Sequence, residues 1–108
     1  MAKEKLLIDK TELVAADLHI KKPRVLNLTY DKITGIYFEP AEVRFLFFLK
    51  KKTDRIRVAY RGQPMNQPLY FLRSEEGDAR FEQYMVGLRK FAWDNQIPLT
   101  DHLSAAQV

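Results

Sequence analysis

A change in hydrophobic period near residue 74 constrains the fold of this chain more than any other feature. From Phe81 the apolar positions are Tyr84, Met85, Leu88, Phe91 and Ala92. Spaced three and four apart, they fall on one stripe of an amphipathic helix. Up to Arg73 the apolar residues come instead in short runs, rich in β-branched and aromatic types and separated by turn residues, which is the pattern of strands. The chain therefore reads as mainly β with one C-terminal α-helix.

The runs place strands at residues 5–8, 12–18, 24–29, 36–39, 44–50, 55–60 and 69–73. Pro23 and Pro68 open strands and Pro40 closes one, because proline donates nothing to a ladder. Asp31 and Gly35 in "YDKITG" supply turn chemistry, and "KKTD", residues 51–54, reads as the loop of a hairpin. For the helix, Ser74 is the expected N-cap, and Glu75, Glu76 and Asp78 suit the positive end of the helix dipole. Arg89 and Lys90 suit the other end. Asn95 is the expected left-handed closing residue, with Pro98 barring continuation. Residues 100–108 read as a loose tail after an ordered core over 5–95.

With 108 residues, 46% of them apolar, the chain has material for a single domain, 1–108, with one core. It contains no cysteine and its start, "MAKEKLLID", has no apolar stretch of signal-peptide length, so a cytoplasmic location is expected. A membrane-spanning helix needs about 20 apolar residues. The run "FLFFL", fenced by Arg44 and Lys50, is far shorter.

Charge is unevenly spread. Between His19 and Arg61 there are eleven Lys/Arg against four Asp/Glu, a balance of +7, while the remainder has seven against ten, or −3. A basic middle of this kind is either a solvated face or a partner surface for phosphates or acidic proteins. Strand alternation puts Arg55 and Arg57 outward and Ile56, Val58 and Tyr60 inward. Lys50, Lys51 and Lys52, read as a loop, extend the basic patch.

Seven short strands followed by one amphipathic helix is also a family order. The opening "KLLIDKTELV", the segment "LTYDKITGI" with Leu28, Ile33 and Ile36, and a helix with Phe81, Leu88 and Phe91 inward resemble the bacterial pleckstrin-homology-like (PH-like) domains over residues 5–95. The resemblance implies a PH-like barrel of two orthogonal antiparallel sheets, with the helix capping one end. It also implies a ligand end formed by the loops 9–11, 30–34 and 61–66, with the lysine loop at the opposite end. Family members that bind phosphoinositides carry basic residues on the first hairpin; here that hairpin offers Lys10, while its second strand brings Glu12 and Asp17.

Chemistry is sparse in the sequence. His19 and His102 have no metal-ligand spacing and read as surface histidines, and the acids at the helix start are explained by the dipole. We therefore expect no catalytic residue, metal or cofactor. The run from Phe45 to Leu49 raises a different question. As a strand it shows Phe45, Phe47 and Leu49 on one face and Leu46 and Phe48 on the other, so large apolar groups need cover. Val86 and Trp93 lie off the inward stripe of the helix, and Met65 sits in the loop "RGQPMNQP". Leu46, Phe48, Val86, Trp93 and Met65 are thus the candidate interface, with Lys50, Lys51, Lys52, Arg55 and Arg57 as its electrostatic rim. The function this predicts is a non-catalytic protein-interaction or assembly module whose partner is another protein or its own copies. The alternative is a binder of nucleic acid or an anionic surface through the lysine loop.

Overall fold

The structure, a computed structural model, describes residues 5–19, 22–46, 48–65 and 67–103. The elements in order are β1 (Leu6–Ile8), β2 (Glu12–Asp17), β3 (Arg24–Thr29), β4 (Ile33–Phe45), β5 (Leu49–Tyr60), β6 (Leu69–Leu72), α1 (Arg73–Glu76), α2 (Asp78–Asn95) and β7 (Leu99–Asp101). One sheet is the antiparallel meander β1-β2-β3 and the other runs β6-β5-β4-β7. The core lies between these sheets and α2. It joins Leu13, Leu28, Ile36, Phe38, Ile56 and Phe71 to the helix stripe, whose residues Phe81, Tyr84, Met85, Leu88, Phe91 and Ala92 are all buried.

The expected barrel is not what forms. Both sheets are open, and no closed strand circuit exists among the described residues. The physical reason is the occupation of β4. One edge of β4 pairs with β5 and the other, at Ile36–Phe38, pairs in parallel with β7, so no edge near the start of β4 is left for β3. The expected loose tail, 100–108, supplies two residues of this extra strand: Leu99, just before it, and Thr100 and Asp101 within it pair with Ile36, Tyr37 and Phe38. His102 adds a bond from its amide to the Phe38 carbonyl at 2.8 Å. Residues 104–108 lie outside the described residues.

The helical region also differs from expectation. There are two helices, broken at Gly77, whose φ of 89° suits glycine and begins α2. Ser74 makes no side-chain cap; its amide instead donates to Thr53 Oγ1 at 3.1 Å. The left-handed closing residue is Gln96, φ 57°, one position after Asn95. The Asn95 side-chain amide donates to the carbonyls of Phe91 and Lys10. Gly87 faces Ile8, and a Cβ there would come within 2.7 Å of the Ile8 side-chain end, so the glycine lets β1 lie close to α2.

The largest departure is in the middle of the chain. The expected strand 36–39 extends both ways into β4, which takes in residues 33–35 of the expected turn and passes straight through Pro40; the expected strand 44–50 is instead divided by the hairpin apex between β4 and β5, and "KKTD" lies inside β5 rather than in a turn. Pro40 is tolerated because of its parity. Ile36 N donates to the Pro98 carbonyl and the Phe38 carbonyl accepts from His102, so even-numbered residues of β4 aim their backbone groups away from β5. Beyond Phe38 that side has no strand partner, and the missing N–H of Pro40 costs no ladder bond. Asp54 and Thr53 are docking points for α1: Arg73 Nε donates to Asp54 Oδ2 at 2.8 Å, alongside the Ser74 contact.

Alternation along β2 turns Leu13, Ala15 and Asp17 inward, and Asp17 is 0% exposed. Among the described residues, neither of its carboxylate oxygens has a hydrogen-bond partner. Glu76, also buried, meets Lys5 Nζ at 3.0 Å as an ion pair without an aligned hydrogen bond. An orphaned buried acceptor costs about 1–3 kcal/mol. Asp17→Val, which removes both acceptors and suits a strand, is expected to raise the urea midpoint by a stability gain in that range; a loss of stability would show that the carboxylate is satisfied.

Candidate docking surface

Where β7 ends on one side and β6 on the other, the four-stranded sheet narrows to a ribbon. β6 pairs with β5 only over Arg55–Val58. Among the described residues, no further strand pairs with the ends of β4 and β5 that continue to the last rung, Phe45 opposite Leu49. From Ala41 opposite Thr53 to that rung the two-stranded arm is four steps, about 14 Å, long. Its apex is the three-residue connection 46–48. Leu46 there has φ 61°, a left-handed conformation that costs a non-glycine residue about 1–2 kcal/mol. Leu46 is 67% exposed and Phe48 80% exposed. Phe47 lies outside the described residues. The two predicted contact residues are thus at a turn, not on one face of a strand, and nothing in the described structure covers them.

Lys50, Lys51 and Lys52 are strand residues directly behind this tip, in a position to flank it rather than to form a separate loop. In register, Arg44 faces Lys50 and Glu42 faces Lys52 on one side of the ribbon, while Val43 faces Lys51 on the other. Arg44, Lys50, Lys51 and Lys52 form no ion pair among the described residues. Arg55 and Arg57 behave differently. Arg55 Nε donates to Glu39 Oε2 at 2.8 Å and Arg57 Nε to the same oxygen at 3.1 Å, with the Arg57 guanidinium 4.1 Å from the Tyr37 ring centre. They share Glu39 in an ion-paired cluster at the base of the arm, so the unpaired rim consists of Lys50, Lys51 and Lys52 together with Arg44, which sequence reasoning did not single out. Arg44 is marked by register alone: only the pairing puts it opposite Lys50.

The other predicted contact residues are elsewhere. Val86 and Trp93 are exposed on the outer face of α2, Trp93 at 85%. Trp93 borders a recess of about 710 Å³ lined by Ala92, Ile97 and Leu99, with Arg89 and Asp101 ion-paired at its side. Met65 is exposed in the connection between β5 and β6, at the end opposite the tip. Leu99 in the recess pairs with Ile36, and from Ile36 to Phe45 β4 runs nine residues, about 30 Å. The structure therefore divides the predicted interface into a tip, a recess and a single loop residue.

The three loops expected to cluster do meet at one end. The Tyr30 amide donates to the Thr11 carbonyl at 2.9 Å and the Arg61 amide to the Lys32 carbonyl at 2.8 Å; Asn66 lies outside the described residues. His19 is not a solvated surface histidine. Its ring stacks on Tyr70 at 3.9 Å and Nε2 lies 2.7 Å from Glu75 Oε1. Burial, with Glu75 and Asp17 nearby, pushes the Tyr70 hydroxyl up from its ordinary value despite Arg55. Among the described residues no group of three or more His, Cys, Asp or Glu side chains is arranged to hold a metal ion. No described helix is long and apolar enough to cross a membrane. Comparison of the chain with protein-family models, curated proteins and solved structures finds no match.

The Glu39 cluster has a pH signature. Burial pushes its carboxyl up, but the hydrogen bonds and charges of Arg57 and Arg55 outweigh this and hold it below the ordinary value. A lowered folded pKa contributes stability above the unfolded value, lost as pH falls through the folded one. Glu39→Gln is thus expected to cost about 1–2 kcal/mol at pH 7, with urea midpoints of variant and parent converging as the carboxyl protonates below about pH 4.5. At the apex, Leu46→Gly is expected to leave stability unchanged or raise it by about 1 kcal/mol through relief of the left-handed strain.

Proposed function

We propose that this chain is a non-catalytic docking module that assembles with a protein partner, its own copies included, through the tip of the β4–β5 arm. The observation that carries this reading is the apex itself. Two large apolar side chains stand at the end of a ribbon, one of them on strained backbone, where a glycine or asparagine would suit the turn and leave no apolar surface. Exposed apolar anchors beside charge are the usual composition of interface centres and rims. The cysteine-free sequence suits a reducing, cytoplasmic setting.

One observation favours a second reading. The four unpaired cations sit within a few residues of the tip, and beside an anionic lipid leaflet each contributes about 1 kcal/mol. That is weak for lysines alone, but Phe48 and Leu46 at the apex add an apolar anchor. On this reading the module grips an anionic surface, lipid or nucleic acid.

Light scattering over a concentration series separates the two. Assembly predicts a mass above that of one chain for the parent and a folded monomer for Phe48→Asp, with an unchanged circular dichroism spectrum. A parent that stays monomeric, yet sediments with anionic vesicles or shifts an oligonucleotide until salt is raised, would establish the second reading. In that case Lys50, Lys51 and Lys52→Glu is expected to abolish binding.

A further inference from the structure

We infer that the arm tip of one copy seats in the recess beside Trp93 of the next, so that the chain assembles head to tail. This rests on the docking reading above and names its partner surface. The tip offers Leu46 and Phe48, and the recess offers Ala92, Trp93, Ile97 and Leu99 in about 710 Å³, within the range of about 300–1,000 Å³ that holds compact apolar groups. Within one molecule the two cannot meet, because β4 itself separates them by more than half its length. The contact is therefore between copies.

Charge decides which surfaces face each other. Residues 42–52 carry Arg44, Lys50, Lys51 and Lys52 against Glu42, a balance of +3. Two tips meeting would bring these sets together, and like-charge juxtaposition opposes such a contact. Beside the recess the charges balance, Arg89 and Lys90 against Asp94 and Asp101, and the C-terminal end of α2 adds the negative end of its dipole. The cations near the recess are already engaged, Arg89 by Asp101 and Lys90 by Asp94. A second cavity, between β1 and α2, is smaller, about 510 Å³, and carries Lys10 and Lys90 as well as Asp9 and Asp94 on its wall.

Tip and recess are different patches, so the contact is heterologous. Repeated, it gives a closed assembly where the rotation closes, the smallest being a reciprocal pair with each tip in the other's recess, and a filament where it does not. The test uses two full-length variants, Phe48→Asp with a spoiled tip and Trp93→Lys with a spoiled recess. Both positions are exposed, and circular dichroism checks that each variant folds. Each alone is expected to be monomeric in light scattering. An equimolar mixture is expected to form a dimer and nothing larger, since the intact tip of the Trp93→Lys chain meets the intact recess of the Phe48→Asp chain. If Phe48→Asp is monomeric while Trp93→Lys keeps the parent mass, the tip still docks and the recess assignment is overturned. A mixture that stays monomeric overturns it as well. A parent chain monomeric throughout overturns self-assembly itself.

Discussion

Everything distinctive in this molecule depends on how β4 spends its two edges. Near its start the strand is paired on both sides, by β5 and by β7, and there its inward residues Ile36 and Phe38 are fully buried. Among the described residues no strand pairs with the β7 side of β4 past Phe38 or with the β6 side of β5 past Arg55. The same hairpin is therefore the centre of a sheet at one end and a bare ribbon at the other. Since each strand edge takes one partner, the seat of β7 on β4 both leaves the two sheets open and marks where the arm begins.

The side chains follow that change of environment. On the core side of β4 and β5 the inward positions read Ile36, Phe38, Ile56 and Val58; continued along the arm, the same parity reads Pro40, Glu42 and Arg44 opposite Asp54, Lys52 and Lys50. Once there is no core to face, apolar residues give way to charge. Glu39 stands at the junction and is shared as ion-pair partner by Arg55 and Arg57, while the cations nearer the tip form no ion pair among the described residues. On that side large apolar residues return only at the apex, where Leu46 and Phe48 are exposed. That placement gives the docking reading its physical content: a hydrophobic point carried on a basic stem, well removed from the recess on α2.

Much of the outline was legible in residue spacing. The helix stripe from Phe81 to Ala92 is buried as its period requires, and strand parity correctly turned Ile56 and Val58 inward and Arg55 and Arg57 outward. Val86 and Trp93, placed off the inward stripe, are exposed, and so are Leu46 and Phe48, which were expected to need cover. What misled was local chemistry read without its context. Pro40 looked like a stop, but its nitrogen faces an unpaired edge. "KKTD" looked like a turn, but Thr53 and Asp54 are held by Ser74 and Arg73, twenty residues on, and the turn moved to an apolar triplet with no turn signal.

The sequence by itself determined the elements whose stabilisation is a repeating pattern: the amphipathic helix, the β meander that precedes it, and the presence of apolar groups that one core could not all cover. Periodicity suffices there because burial of a face depends on spacing within the element. The tertiary structure alone decided which strands share an edge, that residues 99–101 complete a sheet, that Asp17 is enclosed without a hydrogen-bond partner among the described residues, and that the tip and Trp93 lie at separate ends. Those outcomes depend on pairing between residues far apart in the chain, which no local spacing encodes.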